Sequence, residues 1–229
     1  MTLRAANHFA WKSAYAGKWV EWCKANRCSN VFSHPHDLHA YIIGLDHLHG
    51  PINYLEFGVH KGESIEWWVR KNRHPDSRFV GFDSFQGLPA DWRADFPKGH
   101  FSTEGKTPDI SDQRCSFRVG WFYETLPKFV AEFSFSNPTV VNVDADLYGS
   151  SVWVLFALAA KLKIGDILIL DDFSDSLHVF RAFTDFLFAY PIGYDLIAQH
   201  PRYVRVALQI RDLPSGLTQT LGSPSTDLP

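Results

Sequence analysis

Two apolar stretches of the chain end in paired acids. "TVVNVDADLYGSS" (139–151) sets Asp144 and Asp146 one residue apart, and "ILILDDF" (167–173) sets Asp171 beside Asp172. Carboxylates this close repel one another and raise each other's pKa unless a cation neutralises them. Donor sets made only of oxygen suit Mg2+, Mn2+ or Ca2+ rather than zinc. Such acids can also accept a substrate proton, serve a phosphate chemistry, or simply cap helices. Asp146 precedes the helix that opens near Ser150, and Asp175 stands before the next one. For the set as a whole, metal binding or catalysis is the stronger reading, and no single member is decided by it.

A second group lies earlier. In "YLEFGVHKGESI" an apolar run ends in Glu56, Phe57 and Gly58, and Gly62 opens a helical segment. Glycines on either side of such a turn let a ligand approach the backbone, and a helix start offers free N–H groups to an anion. The spacing is G-x-x-x-G, without the third glycine of the dinucleotide fingerprint. The next apolar run, "RFVGFD", ends in Asp83, in the range where a carboxylate binds ribose hydroxyls. Taken singly, Asp83 can be a cap and Gly58 a packing residue; together they point to a nucleoside.

These residues need elements to hold them. From residue 52 the texture alternates: strand "INYLEFG", helix "GESIEWWVRKN", strand "RFVGFD", strand "SFRVGWF", helix "YETLPKFVAEF", strand "TVVNVD", helix "SSVWVLFALAAKL", strand "GDILILD", helix "SLHVFRAFTDFLFAY". Such alternation predicts a parallel sheet covered on both faces. "YDLIAQH" and "RYVRVALQI", joined by a tight turn at Pro201, must pair antiparallel. In open sheets of this kind ligands sit beyond the C-terminal strand ends. Glu56, Asp83, Asp144, Asp146, Asp171 and Asp172 all fall there, so the acids are expected on one rim.

The remaining segments divide the chain further. Residues 1–51 read as a helical, His-rich extension in which Leu38, Ile42, Leu45 and Leu48 keep helical spacing. Its five histidines between His34 and His49 have no Cys partner and irregular spacing, which favours a solvated helix face over a zinc site. Residues 52–211 read as the domain of alternating strands and helices. Within it, 86–112 is a long Gly/Pro-rich connection of the kind that forms lids. Residues 212–229 read as a flexible tail.

At 229 residues, 45% hydrophobic and 21% charged, the chain suits one sizeable core with some decoration. A net charge of −3 provides no basic field for nucleic acid or an anionic membrane. The 8 Trp and 19 Phe imply an aromatic-rich core, or rings that line a pocket for a flat or apolar substrate. The 3 cysteines form no C-x-x-C pair, which fits a reducing compartment. "MTLRAANHFAWKSAY" lacks an apolar signal core, and the longest apolar run, "VWVLFALAA", is too short to span a bilayer. A cytoplasmic protein is expected.

The succession "YLEFGVHKGESI", "FVGFDSFQGLPADW", "GWFYETLP", "VNVDADLYGSS" and "GDILILDDF" resembles class I S-adenosylmethionine-dependent methyltransferases. Within them it is most similar to the macrocin O-methyltransferase (TylF/MycF-like) family, over about residues 53–210. The resemblance implies a Rossmann-like class I methyltransferase fold: a mostly parallel seven-stranded sheet with an antiparallel closing strand. It implies S-adenosylmethionine held by Glu56, Gly58, Gly62, Ser64, Asp83, Ser84, Gly120, Trp121 and Asp144. It also implies Mg2+ or a similar divalent cation on Asp144, Asp146, Asp171 and Asp172, with Asp144 or Asp146 as the base. His100, in the lid, is a weaker candidate base whose better reading is structural. The expected reaction is O-methylation of a small-molecule hydroxyl, on a glycoside or other natural product. A homodimer is expected from the family and from Trp11, Trp19 and Trp22, a stripe that can equally pack on its own domain. Two alternatives remain open. One is a HAD-like phosphohydrolase using the D-x-D motif, although its nucleophile would be followed by Ser or Thr where Leu147 and Tyr148 stand. The other is a non-catalytic cofactor-binding partner protein.

Overall fold

The computed structural model describes residues 3–214, with side chains from residue 11 onward. Seven strands form one sheet: β1 (Asn53–Phe57), β2 (Arg78–Asp83), β3 (Cys115–Val119), β4 (Thr139–Val143), β5 (Ile167–Leu170), β6 (Gly193–Gln199) and β7 (Val206–Asp212). Their order is β3-β2-β1-β4-β5-β7-β6. The pairs among β1 to β5 are parallel, and β7 runs antiparallel to both β5 and β6. From β1 the chain winds outward through β2 to β3, then returns to start again at β4. The reversal leaves a crevice between β1 and β4, the place where doubly wound sheets bind their ligands.

Among the described residues six α-helices accompany the sheet: α1 (Leu3–Ala25), α2 (Pro35–Ile43), α3 (Glu63–Lys71), α4 (Phe122–Glu132), α5 (Tyr148–Leu158) and α6 (Val179–Ala189). The central strands β1, β4 and β5 are buried throughout, because both faces are covered. Alternation along β1 sends Leu55 and Phe57 into the core under α4, α5 and α6. Tyr54 goes to the opposite face, against Ile65 and Trp68 of α3 and Leu38 and Ile42 of α2. Glu56 must follow Tyr54 onto that second face. Its carboxylate is therefore carried under α3, where the first glycine turn begins.

The N-terminal extension is built into both layers. Trp19 and Trp22 of α1 pack edge-on against Phe173, Phe180 and Tyr203, and the Trp22 indole N–H donates to Tyr194 Oη at 2.9 Å. Of the stripe read either as a dimer interface or as packing on its own domain, these two rings turn inward on their own domain. Trp11 remains about half exposed. Between α1 and α2 the chain runs beside β6, with Phe32 N donating to Gln199 O at 2.9 Å and Gln199 N to Asn30 O at 3.0 Å. An open sheet edge is thereby covered.

Two boundaries differ from the sequence expectation. The helix read through Leu48 stops at Ile43: the Gly44 N–H caps it by bonding to Ala40 O, and a 3-10 turn, Asp46–Leu48, follows. β7 reaches Asp212, so the expected tail starts later; from residue 215 it lies outside the described residues. Among the described residues no helix is long and apolar enough to cross a membrane.

Candidate active site

The crevice between β1 and β4 opens into a cavity of about 1240 Å3. That exceeds the usual range for a single small ligand, roughly 300–1,000 Å3, and leaves room for two. Three walls define it.

The first wall is the turn from β1 to α3. Gly58 has φ +92, and a Cβ there would stand 1.8 Å from the Asp144 carbonyl oxygen. Any side chain at 58 would push the first acidic strand end out of place, so glycine is required by contact as well as by conformation. Gly62, at φ +81, opens α3, and a Cβ there would meet Pro108 at 2.6 Å, inside the predicted lid. Asp83 at the end of β2 holds the turn: its Oδ2 accepts the N–H groups of Val59 (2.8 Å) and His60 (2.9 Å), and its Oδ1 that of Phe85 (2.7 Å). These bonds make Asp83 the organiser of the glycine turn. A carboxylate can accept about four hydrogen bonds, so these three leave Asp83, which lines the cavity, with capacity for another. Ser64, Ser84, Gly120 and Trp121 line the same cavity. Glu56 is buried and accepts the Tyr54 hydroxyl at 2.5 Å. Burial pushes its carboxyl up to about 7, against the pull of Tyr54, Asn142 and Arg205.

The second wall is the acidic rim. Asp144 continues the ladder past β4, its N–H donating to Phe57 O at 2.9 Å, and Asp171 does the same past β5, donating to Val143 O at 3.0 Å. Oxygen atoms of Asp144, Asp171 and Asp172 lie within 4.8 Å of one another. Asp146 lines the cavity but stands outside that triad among the described residues. The second acid of each pair takes a left-handed backbone, Asp146 at φ 56 and Asp172 at φ 46. Asp tolerates that conformation better than most residues, and its use twice at one rim marks a site where geometry outranks local comfort. The proximity has an electrostatic consequence. Asp144 is raised well above the usual carboxylate range by its depth and then by Asp171, and Asp172 is raised by burial and by Asp171. Asp146 is pushed up to about 7 by burial and by the charges of Asp172 and Asp171.

Two arginines that sequence reasoning missed meet these acids. Arg205 Nη2 lies 2.6 Å from Asp171 Oδ2 and 3.9 Å from Asp144 Oδ2. Arg93, in the 86–112 connection, reaches Asp172 at 3.4 Å and Asp175 at 3.1 Å while its guanidinium stacks on Trp92. The signal for Arg205 was present in the strand pairing. β7 returns antiparallel with Val206 opposite Leu170, so the residue before it stands beside Asp171. No comparable signal exists for Arg93, which a loop delivers.

The third wall is aromatic. Trp92, Phe96 and Phe101 from the 86–112 connection line the cavity together with Tyr123, Tyr148 and Trp153 from α4 and α5. His100 is not part of that lining; its ring packs on Phe96 and Phe101, and its carbonyl accepts the Leu88 N–H at 2.9 Å. The cavity also receives His34 and His36 from the extension and His178 from the start of α6.

A family model described as macrocin-O-methyltransferase (TylF) matches residues 46–199. No curated protein matches the chain. Among solved structures, the calicheamicin methyltransferase CalS11 superposes with a TM-score of 0.57 at 21% identity, over 76% of each chain. The O-methyltransferase NovP gives 0.57 at 21%, over 77% of this chain and 78% of its own. An O-methyltransferase from Bacillus cereus, in complex with SAH, gives 0.54 at 15%, over 87% and 91%. At these identities the likeness establishes the class I methyltransferase fold, and the match to the family model establishes the lineage. With the glycine turn, the Asp83 carboxylate and the acidic rim on one crevice of that fold, the chain belongs to the macrocin-O-methyltransferase (TylF) family of S-adenosylmethionine-dependent O-methyltransferases.

Proposed function

We propose that the chain methylates a hydroxyl of a glycoside or related natural product, with a divalent cation on Asp144, Asp171 and Asp172 and with Asp146 as the proton acceptor. The observation that carries this reading is the convergence of three carboxylates from two strand ends beside the glycine turn. The donor set fits a hard cation: oxygen only, anionic, and on the wall of a cavity with space for a second ligand. The likeness to CalS11, a TDP-rhamnose 3'-O-methyltransferase at 21% identity, supports a sugar hydroxyl as acceptor.

S-adenosylmethionine supplies a methyl on a positively charged sulfur, and a divalent cation supplies a Lewis acid that lowers the pKa of a nearby hydroxyl. The chain's own residues do the rest. Gly58 and Gly62 leave the two ends of the β1–α3 turn without a side chain, and the remaining acceptor capacity of Asp83 is suited to a ribose hydroxyl. The aromatic wall excludes water and gives the acceptor a flat surface to lie on. Alignment of donor and acceptor can contribute about 7–11 kcal/mol of the barrier reduction. Asp146, on the cavity wall but outside the triad, accepts the hydroxyl proton, a role that general-base groups fill for roughly 10²–10⁴-fold in rate.

The test is methyl transfer from S-adenosylmethionine to a panel of glycosides and phenols, with Mg2+ and with EDTA. Transfer to a glycoside that EDTA abolishes is expected. Undiminished transfer in EDTA would remove the cation from the proposal, and transfer to phenols alone would move the acceptor class.

A further inference from the structure

Arg205 and Arg114 are both largely buried arginines paired with an aspartate, at 14% and 16% side-chain exposure, yet they are built differently. Arg114 uses every nitrogen: Nε and Nη2 fork onto Asp112, Nη1 bonds the carbonyls of Asn72 and His74, and Nη2 also reaches that of Val69. That is an arginine placed to hold structure. Arg205 makes one short contact to Asp171 and a loose approach to Asp144, and its Nε is buried with no hydrogen-bond partner among the described residues. An orphaned buried donor costs stability, so a purely structural role would leave Arg205 poorly designed. What it does have is position. The return of β7 beside β5 carries it to the one rim where Asp144, Asp171 and Asp172 converge, with Glu56 also within its field.

We propose that Arg205 is the resident counter-cation of the acidic rim: it holds Asp144 and Asp171 in place before loading, and it sets how tightly a divalent cation binds by competing for the same oxygens. The inference rests on the cation reading given above. Its physical basis is simple. Three carboxylates alone would repel one another and splay apart, whereas one guanidinium steadies two of them. The same positive charge then opposes the incoming cation at a separation where charges still interact strongly inside a protein. Arg205 is thus a positioning residue that trades cation affinity for a preformed donor set.

This predicts a direction that a structural role does not. Removing the guanidinium should lower the melting temperature in EDTA yet tighten cation binding. The experiment compares wild-type full chain with Arg205→Met and Arg205→Lys, titrating Mn2+ and following free Mn2+ by electron paramagnetic resonance, with melting in EDTA and in Mn2+ measured in parallel. Wild type and Arg205→Lys should bind alike, and Arg205→Met should bind about tenfold tighter or more with a larger melting-temperature gain on Mn2+ addition. Arg205→Gln, which keeps a donor for Asp171 without the charge, carries the test if the Met variant fails to fold by circular dichroism. A neutral variant that folds and binds Mn2+ no tighter than wild type overturns the proposal while leaving the cation reading intact. Absence of Mn2+ binding in wild type and all variants overturns both. Binding by the neutral variants alone supports the counter-cation and removes the divalent ion from the native reaction.

Discussion

The two ends of the sheet treat their acids in opposite ways. At the N-terminal strand ends, Asp166 is buried, yet each oxygen has a backbone donor: Oδ1 accepts the Thr139 N–H and Oδ2 the Lys163 N–H, both at 2.8 Å. Asp112 there is gripped by the Arg114 fork, which holds its carboxyl below the usual range. At the C-terminal ends, Asp144, Asp146, Asp171 and Asp172 face each other, and two incompletely engaged arginines stand between them and full repulsion. Similar residue types at opposite ends of the same sheet give a brace at one end and a rim of mutually repelling carboxylates at the other. The distinction lies in what faces each acid: backbone N–H groups or a forked arginine at one end, other carboxylates at the other.

That contrast can be broken in four ways. The largest effect belongs to Asp171→Ala, which should reduce turnover by about 10²-fold or more while calorimetry shows S-adenosylhomocysteine still binding. A loss of cofactor affinity equal to the loss of rate would instead make the rim part of the cofactor pocket. Next, Asp146→Asn should cut kcat by about 10²-fold with a melting temperature in EDTA equal to or above wild type, since one repelling charge is gone. Asp166→Ala should do the reverse, costing about 1–3 kcal/mol of stability from two orphaned N–H groups with kcat per folded molecule unchanged. If Asp146→Asn melts early and Asp166→Ala loses rate, the division between brace and rim is wrong.

The smallest effect is in pH. Burial raises Asp166 from 3.8 to about 6, so the folded state holds that proton more tightly than the unfolded chain does. Its contribution to stability is therefore fullest below about pH 4 and falls as pH rises toward 6. Melting curves of Asp166→Asn should lack that part of the decline, and an unchanged profile would show that the two N–H groups keep the carboxyl ionised at lower pH.

Much of this architecture is legible in the amino-acid order alone. The apolar, β-branched runs reveal β4 and β5 readily, and β1 stands out despite Asn53 and Glu56, because strands covered on both faces keep polar positions few. The convergence of "DADLYGS" and "LDDF" on one rim follows from parallel strand order. The arginines are hidden for a different reason: Arg205 reaches Asp171 through pairing of β7 with β5, and Arg93 reaches Asp172 through a loop, neither of which a local pattern encodes. Asp83 is visible as a strand-end acid, but its three backbone bonds depend on how the glycine turn folds over it. The direction of Trp19 and Trp22 is equally hidden, since their partners Phe173, Phe180 and Tyr203 lie more than 150 positions onward.

The segment beside β6 bears on how the molecule is made. Asn30 Nδ2 bonds the Ile197 carbonyl at 2.9 Å, and the Tyr15 hydroxyl bonds Asp185 at 2.5 Å, so α1 and the segment after it dock on chain synthesised much later. During translation α1 and α2 leave the ribosome long before their seat exists, and loop closure over such distances is slow. Newly made chains must pass through a stage with Trp19 and Trp22 uncovered, and that stage is where holding chaperones and slow synthesis of the final strands would have their effect on yield.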